Sequence, residues 1–258
     1  MRDHVLISPM VRTGWRPATS IPLSPVYFNG SYGYEDEENI KSDVAIVHKH
    51  SMASFERLAT LWQQVRYLDG FRIPGVLVEC GVWKGGAAGL MALAHMRSNA
   101  APFRDLHLFD SFEGLPAPRM EVDGAIAHEV AEAGDGMLQA IGQLAASPDN
   151  CEELLLGIIG YPADLVHFHV GWFQDTVPRD ADSIGEIALL RLAGDWYEST
   201  RIPLQYLYQK VVSRGVIAIA DYGAFEGSRR AVDEFLTSQS VPIMLHHVDS
   251  AGRYWIKP

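Results

Sequence analysis

Two acidic residues in this chain are placed where they could do chemistry. Glu79 lies in Val76-Leu77-Val78-Glu79-Cys80, an apolar run that ends at Gly81 and passes through Val82-Trp83-Lys84 into the turn Gly85-Gly86-Ala87-Ala88-Gly89. Asp110 ends a second apolar run and opens Asp110-Ser111-Phe112-Glu113-Gly114. A carboxylate closing a second strand can accept both hydroxyls of a ribose, and glycines in the turn before it let backbone approach a ligand closely. The turn is no phosphate cradle: Gly-Lys-Ser/Thr is missing and the spacing is not G-x-G-x-x-G. The pair therefore favours a nucleoside cofactor without phosphates. S-adenosylmethionine fits, with its ribose at Asp110 and its amino-acid part at the glycine turn. The plainer alternative is that Asp110 caps the turn it opens and the glycines serve turn geometry alone.

Other candidates are weaker. His167 and His169 alternate with Val166, Phe168 and Val170, which puts both on one sheet face, yet a His-x-His pair without a third ligand is usually packing. Cys80 and Cys151 fit no CxxC spacing and stand beside no histidine at a strand end. Both are expected to be reduced, with no disulfide, zinc or thiol-nucleophile role. A Gly-x-Ser-x-Gly elbow is missing.

These residues need a frame that holds them. Apolar runs at 76–80, 106–110, 166–170, 187–192 and 216–220 alternate with helical patterns over 86–97, within 126–146, near 199–212 and near 227–238. Strands apolar on both faces and separated by helices predict an α/β fold with a mostly parallel sheet covered on both sides. Two last strands, 243–249 and 253–257, are expected to form an antiparallel hairpin. Ahead of the sheet, Phe55, Leu58, Trp62, Val65 and Leu68 repeat at helical spacing behind Ser51 and Ser54, either of which can cap the start. Residues 1–50, rich in proline and carrying Tyr27, Phe28, Tyr32, Tyr34 and the run Glu35-Asp36-Glu37-Glu38, read as an N-terminal arm or lid. Residues 51–258 read as the catalytic domain.

Composition narrows the partners. The chain has 258 residues, 21 Lys+Arg against 32 Asp+Glu and a formal charge of −11. Without a basic cluster, nucleic acid and anionic membrane surfaces are excluded as partners. No apolar run approaches a membrane span, and the opening residues carry no apolar leader, so a cytoplasmic protein acting on a small molecule is expected. A homo-oligomer is compatible with this.

From about residue 45 to the end, the chain resembles the macrocin O-methyltransferase family, class I S-adenosylmethionine enzymes that methylate sugar hydroxyls on natural products. The resemblance is carried by Glu79-Cys80-Gly81-Val82-Trp83-Lys84-Gly85-Gly86, Asp110 through Pro116, Gly171-Trp172-Phe173-Gln174-Asp175-Thr176, Leu190 through Thr200, and Asp221-Tyr222-Gly223 with Arg229-Arg230-Ala231-Val232-Asp233. It implies a Rossmann-like seven-stranded sheet with one antiparallel strand. It also implies cofactor contacts at Glu79, Cys80, Gly81, Val82, Gly85, Asp110, Ser111 and Phe112, with adenine contacts along Gly171, Trp172, Phe173 and Gln174.

The chain departs from the family where a metal would bind. Members usually read Leu-Asp-Gly-Asp where this chain has Leu192-Ala193-Gly194-Asp195, and Asp-Asp-Tyr where it has Ala220-Asp221-Tyr222. A methyl side chain supplies no oxygen to Mg²⁺, so no metal is expected. The family's base also falls on Ala193, which leaves Asp195, Asp221 and His169 as candidate bases. Asp195 has a rival role as cap of the helix that follows it. An N-methyltransferase, or a silent cofactor-binding homologue, would tolerate the alanines as well.

Overall fold

The computed structural model describes residues 35–131, 140 and 144–258. The aromatic stretch from Tyr27 to Tyr34, read above as a lid, lies outside the described residues. Contacts divide the chain into units Met1–Asn39 and Ile40–Pro258.

Seven strands form one sheet: β1 (Val76–Cys80), β2 (Leu106–Asp110), β3 (Val166–Val170), β4 (Ile187–Leu192), β5 (Val211–Ile219), β6 (His246–His247) and β7 (Arg253–Ile256). Their order is β3-β2-β1-β4-β5-β7-β6, and β7 alone runs against its neighbours. This is the class I methyltransferase sheet that the resemblance implied. The chain travels outward from β1 through β2 to β3, then returns to place β4 on the other side of β1. The carboxyl ends of β1 and β4 therefore flank the point where strand order reverses, where open α/β sheets bind ligands.

Helices cover both faces: α1 (Glu35–Val47), α2 (Phe55–Gly70), α3 (Gly86–Arg97), α4 (Met120–Ala131), α5 (Pro148–Glu152), α6 (Phe173–Asp180), α7 (Tyr197–Leu207) and α8 (Glu226–Thr237). Side chains along β1 alternate between two cores. Leu77 packs with Trp62, Leu90 and Leu106 on one face, while Val78 and Cys80 pack with Phe109, Val177 and Trp255 on the other. That two-sided burial is why the strands read as unbroken apolar runs. Ile40, Val44 and Val47 of α1, within the stretch read as an arm, join the first core.

Several boundaries differ from expectation for local reasons. Ser54 is the cap of α2, its hydroxyl accepting from the Arg57 amide at 3.1 Å, so Phe55 becomes the first helical residue and is 46% exposed; the buried stripe starts at Leu58. The last hairpin keeps only His246–His247 of the expected 243–249. Pro242 brings no amide, and the Asp249 carboxylate captures the amides of Ala251 and Gly252 at 2.9 and 2.6 Å. Helix α4 begins at Met120, ahead of the expected 126, and breaks at Gly124 (φ 78°, ψ 179°). Helix α5, opened by a Ser147 capping box and continued by a π-helical turn at Glu153–Ile159, was not foreseen, nor was α6 with Pro178 inside it. Among the described residues no helix is long and apolar enough to cross a membrane.

Asp43 ties α1 to this core. Fully buried, it accepts from the Trp62 indole at 2.8 Å and from two Arg97 nitrogens at 2.7 Å each. Replacing Asp43 by Ala orphans the buried indole N–H and should cost about 2–3 kcal/mol in urea unfolding. A loss below about 0.5 kcal/mol would show that the tie contributes nothing.

Candidate active site

A cleft of roughly 340 Å³ opens at the carboxyl ends of β2, β1, β4 and β5. Its floor depends on Gly81. At φ +92°, an added Cβ would lie 2.0 Å from the Ala193 carbonyl oxygen, so β1 and β4 can end this close together only with glycine here. The ladder continues past the strands, with the Ala193 amide donating to the Cys80 carbonyl at 2.8 Å.

Asp110 organises the loops above the floor. Its Oδ2 accepts from the amides of Val82 (2.6 Å) and Trp83 (2.9 Å), and its Oδ1 from the amide of Phe112 (2.8 Å). Trp83 and Phe112 both hold left-handed φ values, 53° and 56°, which bulky residues seldom adopt. The carboxylate offsets that strain by satisfying their N–H groups. Asp110 is thus a turn cap, and of about four acceptor positions on a carboxylate roughly one is left for a ligand.

Glu79 is buried in the same wall. Its Oε1 pairs with Nη1 of Arg191, while its Oε2 is buried with no partner. Burial pushes its pKa up to about 7, against the pull of Arg191. Across the cleft stand Asp195 and Asp221. Burial pushes Asp221 up to about 6 despite Arg191 and Arg57, and drives Asp195 well above the usual carboxylate range, helped by the charge of Asp221. Arg57 reaches in from α2, its Nε 3.0 Å from Asp249 and its Nη1 donating to the Ala220 carbonyl at 3.2 Å.

The cleft brings together Glu79, Gly81, Val82, Asp110, Ser111, Trp172, Phe173 and Gln174 of the expected cofactor residues, and Asp195 and Asp221 of the expected bases. Four other cofactor residues do not line it. The thiol of Cys80 points into the second core, where burial raises its pKa well above the ordinary range. Gly85 packs on Cys151, Phe112 leans toward Phe168, and Gly171 is held by its amide on the Asp110 carbonyl at 2.9 Å. His169 also lies apart: its Nδ1 faces Asp180 at 2.8 Å, its Nε2 faces His107 at 3.0 Å, and its ring is stacked 4.0 Å from Phe109. Asp195 does not cap the following helix. Trp196 takes that position without a side-chain bond, and Asp123 accepts from the Tyr197 amide at 2.7 Å instead.

Arg57 and Arg191 were missed. For Arg191 the signal was a charge inside an apolar strand of a covered sheet, which demands a buried partner. For Arg57 no local signal existed, because Asp249 is remote in sequence. Ala193 and Ala220 line the cleft as methyl groups, a donor set that does not fit Mg²⁺. Among the described residues, no three His, Cys, Asp or Glu side chains are grouped to hold a metal.

Comparison with known proteins gives consistent matches. The family described as Macrocin-O-methyltransferase (TylF) matches residues 32–257. The demethyldecarbamoylnovobiocin O-methyltransferase of Streptomyces niveus is 33% identical over 208 residues, 80% of this chain and 75% of that protein. The 8-demethyl-8-(2,3-dimethoxy-alpha-L-rhamnosyl)-tetracenomycin-C 4'-O-methyltransferase of Streptomyces olivaceus is 33% identical over 206 residues, with the same two shares. The solved structure of the O-methyltransferase NovP superposes with a TM-score of 0.69 at 32% identity, covering 81% of this chain and 82% of that one.

The raised pKa of Glu79 makes a stability prediction. The folded state holds a proton that an unfolded glutamate, with its ordinary pKa of 4.5, gives up, so this contribution is full below pH 4.5 and fades as pH rises to about 7. Glu79→Gln removes the titration. Wild type should lose about 2–3 kcal/mol relative to the variant between pH 4.5 and 7.5, read from paired urea melts. A constant difference across that window would contradict the assignment.

Proposed function

Because the chain belongs to the macrocin O-methyltransferase family, whose members are S-adenosylmethionine-dependent enzymes, we propose that it methylates a hydroxyl of a glycosylated secondary metabolite without Mg²⁺. The observation that carries the cofactor reading is the pair of carboxylates at adjacent strand ends. Glu79 offers a buried oxygen that lacks a partner, and Asp110 keeps about one acceptor position free. Glu79 would take the ammonium of S-adenosylmethionine, the Gly81–Trp83 turn its amino-acid chain, Asp110 a ribose hydroxyl, and Trp172 to Gln174 the adenine. The acceptor reading is supported by the relatives, which are named for O-methylation of novobiocin and rhamnosyl-tetracenomycin precursors.

Bound, S-adenosylmethionine supplies a methyl carbon activated by its sulfonium. The chain's own residues align the acceptor with it, and alignment contributes most of the acceleration in such a displacement. Asp221, at the cleft end of β5, would take the proton of an acceptor hydroxyl aligned there. Asp221 suits that task better than Asp195: at about 6 its pKa leaves it ionised at neutral pH yet more basic than an ordinary aspartate. His169, both nitrogens engaged outside the cleft, is the weakest of the three. Cys80 and Cys151, both free and buried, suit a reducing compartment such as the cytoplasm.

Calorimetric titration with S-adenosylmethionine, in Mg²⁺ and in EDTA, should give the same micromolar affinity in both buffers. Methylation of a panel of deoxysugar glycosides should be equally indifferent to chelator, and Asp221→Asn should lower kcat by about 10²-fold or more. Many-fold activation by Mg²⁺ would overturn the metal-free reading. Absence of cofactor binding would overturn the methyltransferase reading itself.

A further inference from the structure

The cleft is short of positive charge. Four carboxyl groups line it, Glu79, Asp110, Asp195 and Asp221, against two guanidiniums, Arg57 and Arg191. Neither guanidinium is fully available to the Asp195–Asp221 pair. Arg191 is paired with Glu79, and Arg57 is turned toward Asp249 at 3.0 Å and the Ala220 carbonyl at 3.2 Å. Glu79 Oε2 is buried and unpartnered, so the first place that asks for positive charge is beside β1. The second is between Asp195 and Asp221, beside β4 and β5.

Ala193 and Ala220 bear on this shortage. A divalent cation held there by two more carboxylates would bring two positive charges with two negative ones and leave the balance unchanged. With methyl groups at both positions, the negative charge of Asp221 is not committed to a metal and acts on whatever fills the cleft, while burial holds Asp195 beside it toward its neutral form. A cofactor held by Glu79 and Asp110, as proposed above, would share the cleft with Asp221 at the β5 end.

We propose that Asp221 is a specificity-determining residue that reads the charge of the cofactor, so that the cleft holds the cationic sulfonium more tightly than the neutral thioether left after methyl transfer. This rests on the methyltransferase reading above and extends it to product release. Loss of the sulfonium charge during the reaction removes part of the attraction, and the spent cofactor is released more readily than the fresh one.

The test uses the full chain in EDTA and calorimetric titration with three probes: S-adenosylmethionine, S-adenosylhomocysteine, and sinefungin, which carries an amine in place of the sulfonium. Both cationic probes should bind on the order of tenfold more tightly than S-adenosylhomocysteine, and the ratio should shrink as salt is raised. Asp221→Asn should bring the ratio toward one by weakening the cationic probes, with S-adenosylhomocysteine changed by less than about twofold. The double variant Ala193→Asp with Ala220→Asp adds negative charge and should widen the ratio, a direction that a merely structural defect would not produce. Equal or tighter binding of S-adenosylhomocysteine to wild type, or a ratio unchanged in Asp221→Asn, would overturn the proposal and leave the methyltransferase reading standing. Failure of all three probes to bind would overturn both.

Discussion

One carboxylate holds the upper part of the cleft together. Asp110 gathers three backbone amides from two loops, and two of the donors, Trp83 and Phe112, sit in a backbone conformation that bulky side chains resist. The β1–α3 turn and the loop after β2 are each bent toward the same oxygen pair. Without it neither loop has a reason to keep that bend, and the walls that carry Val82 and Ser111 would relax away from the cleft. The close approach of β1 to β4, allowed by Gly81, supplies the floor beneath.

Around this frame the chain concentrates ionisable groups that burial leaves poorly solvated. Glu79, Asp195 and Asp221 all have pKa values above their ordinary range for that reason first, and neighbouring charges modify the result. Such a site is costly to an empty protein and is kept where function needs it. Beside these carboxyl groups the wall is lined by the methyl groups of Ala193 and Ala220, which bring no oxygen to share their charge.

The sequence revealed the sheet more fully than the site. Five parallel strands were legible because burial on both faces leaves an unbroken apolar run, and the count of seven with one antiparallel strand followed from the resemblance. Short pieces were not: β6 is two residues long, α6 contains Pro178, and α5 passes into a π-helical turn, so none shows a clear period. The sequence placed Glu79, Asp110 and Asp221 at the cleft because each is a charge at or next to the end of an apolar run. The side chains of Cys80 and His169 lie off the cleft for one reason: in a strand, adjacent side chains face opposite sides, and residues near a strand end need not face a ligand. Arg57 was invisible because its role comes from Asp249, a partner brought to it only by the fold.

That last contact reaches across nearly the whole domain. Ser54, at the start of α2, donates to Asp249 at 2.6 Å, and the same carboxylate fixes Arg57 and the turn at Ala251 and Gly252. The cleft wall is therefore closed by a residue that follows Ser54 by 195 positions. A nascent chain can assemble β1 to β5 while Arg57 still lacks its carboxylate partner, so the finished wall of the cleft follows the sheet and is not built along with it.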